Sequence, residues 1–190
     1  MRIIAPAFFR KGLWKNGRGV SWDIATQPSV RGAEFGWRLS IAEISEDCAF
    51  SLYGPVDRVF TLIEGAGVDL VVNSRRIHVS ECFKPVAFAC DVSTNCALLD
   101  GRCRALNLFT ARGEWDASAE VIAIPDIIDI DAKGGTALLF ALKADTSIAA
   151  NGTVSVLCAG EAMVIAGDAG IISAAARGSL LYVARLRRLA

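Results

Sequence analysis

Only one histidine, His78, occurs in the 190 residues of this chain. A divalent transition metal needs several imidazole or carboxylate ligands gathered in one place. A histidine-built metal centre therefore fails on ligand count, and no cofactor is expected. Net charge is missing as well: 20 basic and 20 acidic side chains cancel. A broad nucleic-acid surface would require an excess of Lys and Arg, so no nucleic-acid partner is expected, and the cluster Arg185, Arg187 and Arg188 reads as a solvated terminus. No stretch reaches the ~20 apolar residues that cross a bilayer. The most apolar runs, Gly134–Leu142 and Ile148–Gly160, are short or broken by Asn151 and glycines. The apolar stretch Ile3–Phe9 is followed, not preceded, by Arg10 and Lys11, the reverse of a secretory signal. No membrane association and a cytoplasmic location are expected. No CxxC pair occurs among Cys48, Cys82, Cys90, Cys96, Cys103 and Cys158, and His78 stands in no finger-like spacing with them. Zinc is not expected, and the cysteines read as free thiols packed as small hydrophobes.

What the chain has is apolar content, 53% against 21% charged, which belongs to ordered globular proteins. Turn signals recur at short intervals: Asn16-Gly17, Gly54-Pro55, Glu64-Gly65, Asp100-Gly101, Gly134-Gly135, Asn151-Gly152, Gly167-Asp168 and Arg177-Gly178. Between them lie short segments rich in Val, Ile, Leu and Phe, the cadence of an all-β sandwich or barrel. Predicted strands include Val20–Ala25, Phe35–Ile44, Arg58–Glu64, Val68–Val72, Val86–Ala89 and Ala105–Thr110. The second half adds Glu120–Ile124, Ala137–Lys143, Val154–Leu157, Ala162–Ile165, Gly170–Ser173 and Leu180–Leu186. A shift in composition near Gly113, from aromatic- and arginine-rich to Ala, Ile, Val and Gly, marks a seam. Residues 1–113 are expected to form one barrel with a ligand pocket, and residues 114–190 a second that serves as scaffold.

One predicted strand carries chemistry. Along Trp37-Arg38-Leu39-Ser40-Ile41-Ala42, successive side chains point to opposite faces. Trp37, Leu39 and Ile41 share an apolar face, while Arg38, Ser40 and Ala42 share the other. From this strand alone that second face reads as surface, with the lining of a polar cavity as the alternative. Arg58 enters a later strand just after a Gly-Pro turn. Two arginines near one barrel mouth would suit a carboxylate, because a guanidinium offers a planar fork of donors.

Four ordered blocks carry a family resemblance. The first, Leu13-Trp14-Lys15-Asn16-Gly17-Arg18-Gly19-Val20-Ser21-Trp22-Asp23-Ile24, is similar to the pattern W-x-N-G-G-G-x-T-x-E-I. The second, Phe35-Gly36-Trp37-Arg38-Leu39-Ser40-Ile41-Ala42-Glu43-Ile44, resembles F-x-W-R-x-S-x-A-x-[IV]. The third runs Phe50-Ser51, Tyr53-Gly54-Pro55-Val56-Asp57-Arg58, then Leu62-Ile63-Glu64-Gly65 and Gly67. The fourth runs from Pro85 and Phe88 through Asp91 and Leu99-Asp100-Gly101 to Leu106-Asn107-Leu108 and Arg112-Gly113. Together they resemble the HutD/Ves family over residues 13–113. Arg18 stands where that family has its middle glycine, Trp22-Asp23 replaces an Arg-Glu pair, Cys48-Ala49 replaces Gly-Pro, Cys90 replaces a glycine, and Ala105 stands where the family is acidic.

The resemblance implies a bicupin, two fused cupin-like β-barrels, and a genetic association with histidine utilisation. It also implies a family without established enzymatic activity, whose role is sensing or buffering a small anionic metabolite such as urocanate or N-formylglutamate. On this reading Arg38 and Arg58 are the anion partners. Ser40, Ser51, Asn16 and Asn107 supply hydrogen bonds, and Trp14 supplies a stacking wall. Each has a plainer alternative: Asn16-Gly17 as a turn, Asn107 and Trp14 as core, and Arg58 as the ion-pair partner of Asp57 or Glu64. No catalytic residue is assigned. A metal-free isomerase- or epimerase-like cupin acting on a small acid or sugar, and a protein-interaction module, are the alternatives; a homodimer is compatible with any of them.

Overall fold

A computed structural model describes residues 1–167 and 170–190; the second half of the Gly167-Asp168 turn signal lies outside the described residues. Among the described residues there are nineteen strands and one 3-10 turn, Pro6–Phe8. In chain order they begin with β1 (Arg2–Ile4), β2 (Arg10–Leu13), β3 (Val20–Gln27), β4 (Trp37–Ile44), β5 (Cys48–Ala49) and β6 (Val56–Glu64). Next come β7 (Val68–Val72), β8 (Arg75–Val79), β9 (Pro85–Ala89), β10 (Thr94–Leu98), β11 (Cys103–Ala111), β12 (Trp115–Ile124) and β13 (Ile127–Asp131). The chain ends with β14 (Thr136–Ala141), β15 (Thr146–Ala150), β16 (Thr153–Leu157), β17 (Ala162–Ile165), β18 (Ile171–Ala175) and β19 (Ser179–Arg188).

The chain divides into two compact units, residues 9–115 and residues 1–8 with 116–190. The first eight residues, grouped by sequence with the first half, belong instead to the second unit. The reason is β1: it pairs antiparallel with β17, Arg2 opposite Val164 and Ile4 opposite Ala162.

The unit of residues 9–115 consists of a six-stranded sheet, β2-β3-β4-β11-β6-β9, and a four-stranded sheet, β5-β10-β7-β8. Strand β7 shows why the sequence folds this way. In Val68-Asp69-Leu70-Val71-Val72, residues 68, 70 and 72 are buried and Asp69 is exposed, the two-residue alternation of a sheet with one covered face. Its core gathers Ile44, Phe50, Phe60, Leu62, Val68, Leu70, Val79 and the thiols of Cys48, Cys96 and Cys103. At Gly67 (φ +121°) the backbone passes so near β8 that a Cβ would lie 2.1 Å from the Val79 carbonyl oxygen, so only glycine fits. Cys48, Cys90, Cys96 and Cys103 are buried free thiols, and Cys82 and Cys158 are exposed.

The other unit pairs a five-stranded sheet, β1-β17-β14-β19-β12, with a four-stranded one, β13-β18-β15-β16. Its core is aliphatic, built from Ile124, Ile130, Leu139, Ile148, Leu157, Met163, Ile165, Ile172, Leu181 and Val183. Of the arginines read as a solvated terminus, Arg187 and Arg188 are exposed; Arg185 donates Nε–H to the Asp131 carbonyl at 2.7 Å and pairs with Glu120, and Arg187 pairs with Asp116 at 3.2 Å. They belong to β19 because a strand with one solvated face accommodates charges at alternate positions.

Candidate ligand-binding site

Register builds the site. Strand β11 lies between β4 and β6, so its residues 104–110 have a partner on either side. Phe109 stands opposite Arg38 on β4 and Arg58 on β6, and Asn107 stands opposite Ser40 and Phe60. Directly opposed residues and residues two apart along a strand share a face. The face therefore carries a row Arg38–Phe109–Arg58 and, next to it, a row Ser40–Asn107–Phe60. Phe88 of β9 extends the first row beyond Arg58.

This is the face that β4 alone suggested was surface. The structure corrects that reading: Ser40 is 1% exposed, and the face lines a cavity of about 30 Å³. Alternation separates the two faces of a strand but cannot say what covers them. Trp14, Arg38, Ser40, Ser51, Arg58 and Asn107 all line that cavity, joined by Ser21, Phe50, Tyr53, Phe60 and Phe109. Asn16 does not. It fixes the Trp14–Gly19 turn instead, donating Nδ2–H to the Ala49 carbonyl at 2.7 Å and its backbone N–H to Ser51 Oγ at 3.3 Å. The turn matters because Trp14 packs edge-on against Phe50, ring centroids 5.8 Å apart. Tyr53, Phe50 and Phe109 were absent from the sequence-derived set. The signal was available in Phe109 and Tyr53, two residues beyond Asn107 and Ser51.

The arginines sit among aromatic rings. The Arg38 guanidinium lies 5.0 Å from the Phe35 centroid, 5.3 Å from Tyr53 and 4.6 Å from Phe109. Arg58 lies 4.8 Å from Phe50, 5.4 Å from Phe88 and 4.6 Å from the same Phe109 ring. Aromatic faces attract cations, so these rings hold both charges in place. Carboxylates do so far less. Arg38 has Asp23 at a loose 3.6 Å. Arg58 is 7% exposed and pairs with no carboxylate among the described residues. Asp57 and Glu64, its suggested partners, are paired elsewhere: Asp57 with Arg112 at 2.6 Å and Glu64 with Arg104 at 3.4 Å. Burial pushes the neighbouring Cys90 thiol up, and the Arg58 guanidinium works against that shift.

Several polar atoms here are buried without a hydrogen-bond partner: Nε of Arg58, Oδ1 of Asn107, and Nε of Arg38 together with Asp23 Oδ1. A buried polar group left unpaired costs about 1–3 kcal/mol. Native interiors seldom carry such groups without a function or a ligand. Thr61 Oγ1 and Arg104 Nε, which do not line the cavity, are also without a partner, whereas Glu114 is well partnered. Glu114 accepts from Ser29 Oγ at 2.6 Å, from the Val30 N–H at 3.1 Å and from Trp115 Nε1 at 3.3 Å. The Ser29 hydroxyl leads in holding its carboxyl below the usual range. The plainer readings fare unevenly. Asn107 does satisfy one backbone group, donating Nδ2–H to the Ala105 carbonyl at 3.1 Å, yet its Oδ1 is left without a partner. His78 has a carboxylate partner that no short motif revealed, Asp69 at 2.7 Å across β7 and β8, on the exposed surface away from this cavity. Among the described residues, no three of His, Cys, Asp and Glu gather in a way that could hold a metal ion.

The HutD family model matches residues 7–182. An uncharacterized 21.2 kDa protein in the hutC 3′ region of Pseudomonas putida is 32% identical over 147 residues, 73% of this chain and 72% of that protein. Protein Ves of Cronobacter sakazakii is 34% identical over 110 residues, 57% of this chain and 60% of that protein. Among solved structures, a conserved protein of unknown function from Pseudomonas aeruginosa PAO1 superposes with a TM-score of 0.90 at 28% identity, covering 98% of both chains. HutD from Pseudomonas fluorescens SBW25 (formate condition) superposes with a TM-score of 0.84 at 26% identity, over 100% of this chain and 99% of that one. A cupin 2 conserved barrel domain protein from Leptotrichia buccalis, at a TM-score of 0.57 and 10% identity over 99% of this chain and 96% of that one, bears on the fold alone. The fold is all-β and cupin.

Proposed function

This chain belongs to the HutD family, and on that premise we propose that its residue 9–115 unit binds a small anionic metabolite in a regulatory role within histidine utilisation, without turning it over. The family is linked to the histidine utilisation locus, and the Pseudomonas putida relative is named for its place beside hutC. One observation carries the binding reading: Arg58 is buried, pairs with no carboxylate among the described residues, and shares the Phe109 ring with a second guanidinium. A bound carboxylate or similar anion accepts hydrogen bonds from both arginines and neutralises charge that the protein leaves uncompensated. The cavity suits the head of such a ligand rather than its whole. A water needs roughly 10–15 Å³ of such volume, so about 30 Å³ is room for a carboxylate-sized group. Sensing or sequestration fits a site whose charged groups are suited to hold an anion and whose titratable groups offer no assigned acid–base pair.

The test is thermal denaturation with urocanate, N-formylglutamate, glutamate, formate and histidine, beside the Arg38→Ala variant. A ligand at 100 times its Kd adds about 2.7 kcal/mol, roughly 5–11 °C for a chain of this size. A shift with one acid, lost in the variant, is the expected result. Stabilisation by none of the five, or a shift that survives Arg38→Ala undiminished, overturns the assignment.

A further inference from the structure

The arginines speak to the charge of the ligand; Asn107 speaks to its hydrogen bonding. Asn107 is 2% exposed, and the direction of its amide is fixed. Its Nδ2 donates to the Ala105 carbonyl at 3.1 Å, and turning the amide over would set Oδ1 against that carbonyl oxygen. The atom left over is Oδ1, an acceptor, buried with no partner on a side chain that lines the cavity. A carboxylate cannot satisfy it, because carboxylate oxygens only accept.

The site thus presents two complementary demands in adjacent rows of one sheet face. Arg58 Nε, a donor without an acceptor, lies in the row of Phe109, and Asn107 Oδ1, an acceptor without a donor, lies two residues along β11. The backbone rows are about 6.6 Å apart, and both side chains line the same cavity. Resting on the anion reading above, we infer that the ligand is a small acid carrying a neutral O–H or N–H donor close to its carboxylate. The carboxylate meets Arg38 and Arg58, and the donor meets Asn107 Oδ1. A hydroxy acid or an N-acyl amino acid has this chemistry. A plain carboxylic acid lacks the donor. A free amino acid brings an ammonium group beside two guanidiniums, where like charges repel. Ser40, opposite Asn107 in register, has a hydroxyl that donates or accepts and serves either end.

The full-length chain is titrated at pH 7, followed by amide chemical shifts in NMR, with matched probes differing only in the donor. The pairs are lactate against propanoate and N-acetylglycine against N-acetylsarcosine, with alanine as the charged control. The donor-bearing member of each pair binds about 10- to 100-fold tighter, the fold-change that corresponds to leaving one buried polar group unpaired. Alanine binds no better than propanoate, and Asn107→Leu brings lactate and propanoate together. The wild-type comparison stands even if that variant fails to fold. Equal binding within both pairs, still weakened by Arg38→Ala, overturns the donor requirement and leaves the anion reading standing. Binding that ignores both the donor and Arg38 overturns the two together.

Discussion

Replacing Arg58 by methionine separates a ligand-binding arginine from a structural one by the sign of its effect. Three contributions set the magnitude. Arg38 and Arg58 each lie 4.6 Å from the Phe109 centroid, so their guanidiniums are at most about 9 Å apart. At an effective dielectric constant of 20, two like charges at that separation repel by about 1.8 kcal/mol. The unpartnered Nε adds about 1–3 kcal/mol of unfavourable burial. Against these stand the cation–π contacts with Phe50, Phe88 and Phe109, together worth about 2 kcal/mol or more for a desolvated cation. Methionine keeps an unbranched apolar stem in the same channel and removes all three contributions at once. The ligand-free variant is therefore between equally stable and about 3 kcal/mol more stable than the parent, a rise in Tm of roughly 0–12 °C. Stabilisation by any anionic ligand disappears. Differential scanning calorimetry without and with ligand reads both quantities. A drop of more than about 4 °C in the ligand-free variant would show that Arg58 holds the fold together and refute its assignment as a charge kept for a ligand.

Three further outcomes follow from other residues. Glu114→Gln sets an amide N–H₂ among the donors that Ser29, Val30 and Trp115 direct at the carboxylate; the loss is about 1.5–3 kcal/mol. Because the folded pKa of Glu114 lies below its ordinary 4.5, that stabilisation is present above pH 4.5 and lost as pH falls through the lower folded value. Melts of the two proteins must then converge on acidification, and a gap unchanged down to pH 3 contradicts the account. Burial pushes Cys96 from 9.0 up to about 12, so its contribution is intact below pH 9 and declines by about 1.4 kcal/mol per pH unit above it. Urea titrations between pH 8 and 11 show a shallower alkaline loss in Cys96→Ala, and identical slopes would count against it. Gly19→Ala places a Cβ 2.6–2.8 Å from the Trp14 indole and displaces that ring from the cavity wall. Altered tryptophan fluorescence with weaker anion binding is expected, and unchanged affinity removes Trp14 from the site.

Much of the fold was legible because apolar segments between turn signals have few alternatives to strands. Val68–Val72 and Ala162–Ile165 coincide with β7 and β17. Most of the strands that escaped notice lie at sheet edges. Strand β8 reads Arg-Arg-Ile-His-Val and lies at a sheet edge, β13 carries Asp129 and Asp131 at another, and β5 is two residues long. Strand β1 is apolar but three residues long, and its pairing with β17 spans most of the chain, a contact no local pattern reports. For the site, the motifs supplied the side chains and the register supplied their meeting. Nothing in a one-dimensional pattern states that residues 38, 58 and 109 lie side by side; three sheet neighbours had to be fixed first.

The same register explains how a chain with equal numbers of acidic and basic residues builds a locally cationic cavity. Asp57 and Arg58 are consecutive in β6, so their side chains leave on opposite faces. Asp57 is held by Arg112, which also takes Asp91 at 2.8 Å and keeps that carboxyl below its usual range. Arg104 pairs with Glu64 at 3.4 Å. The acidic groups nearest Arg58 in sequence are thus occupied on the far side of the strand, and balance across the whole molecule says nothing about balance within the pocket. The consequence distinguishes this site from a surface patch. Exposed ion pairs fade as salt shortens the Debye length, whereas buried charges are screened much less. Anion affinity here should therefore fall only weakly between low and physiological ionic strength, apart from direct competition by the salt's own anion. A steep decline with a poorly coordinating salt anion would place the binding on exposed arginines instead of on Arg38 and Arg58.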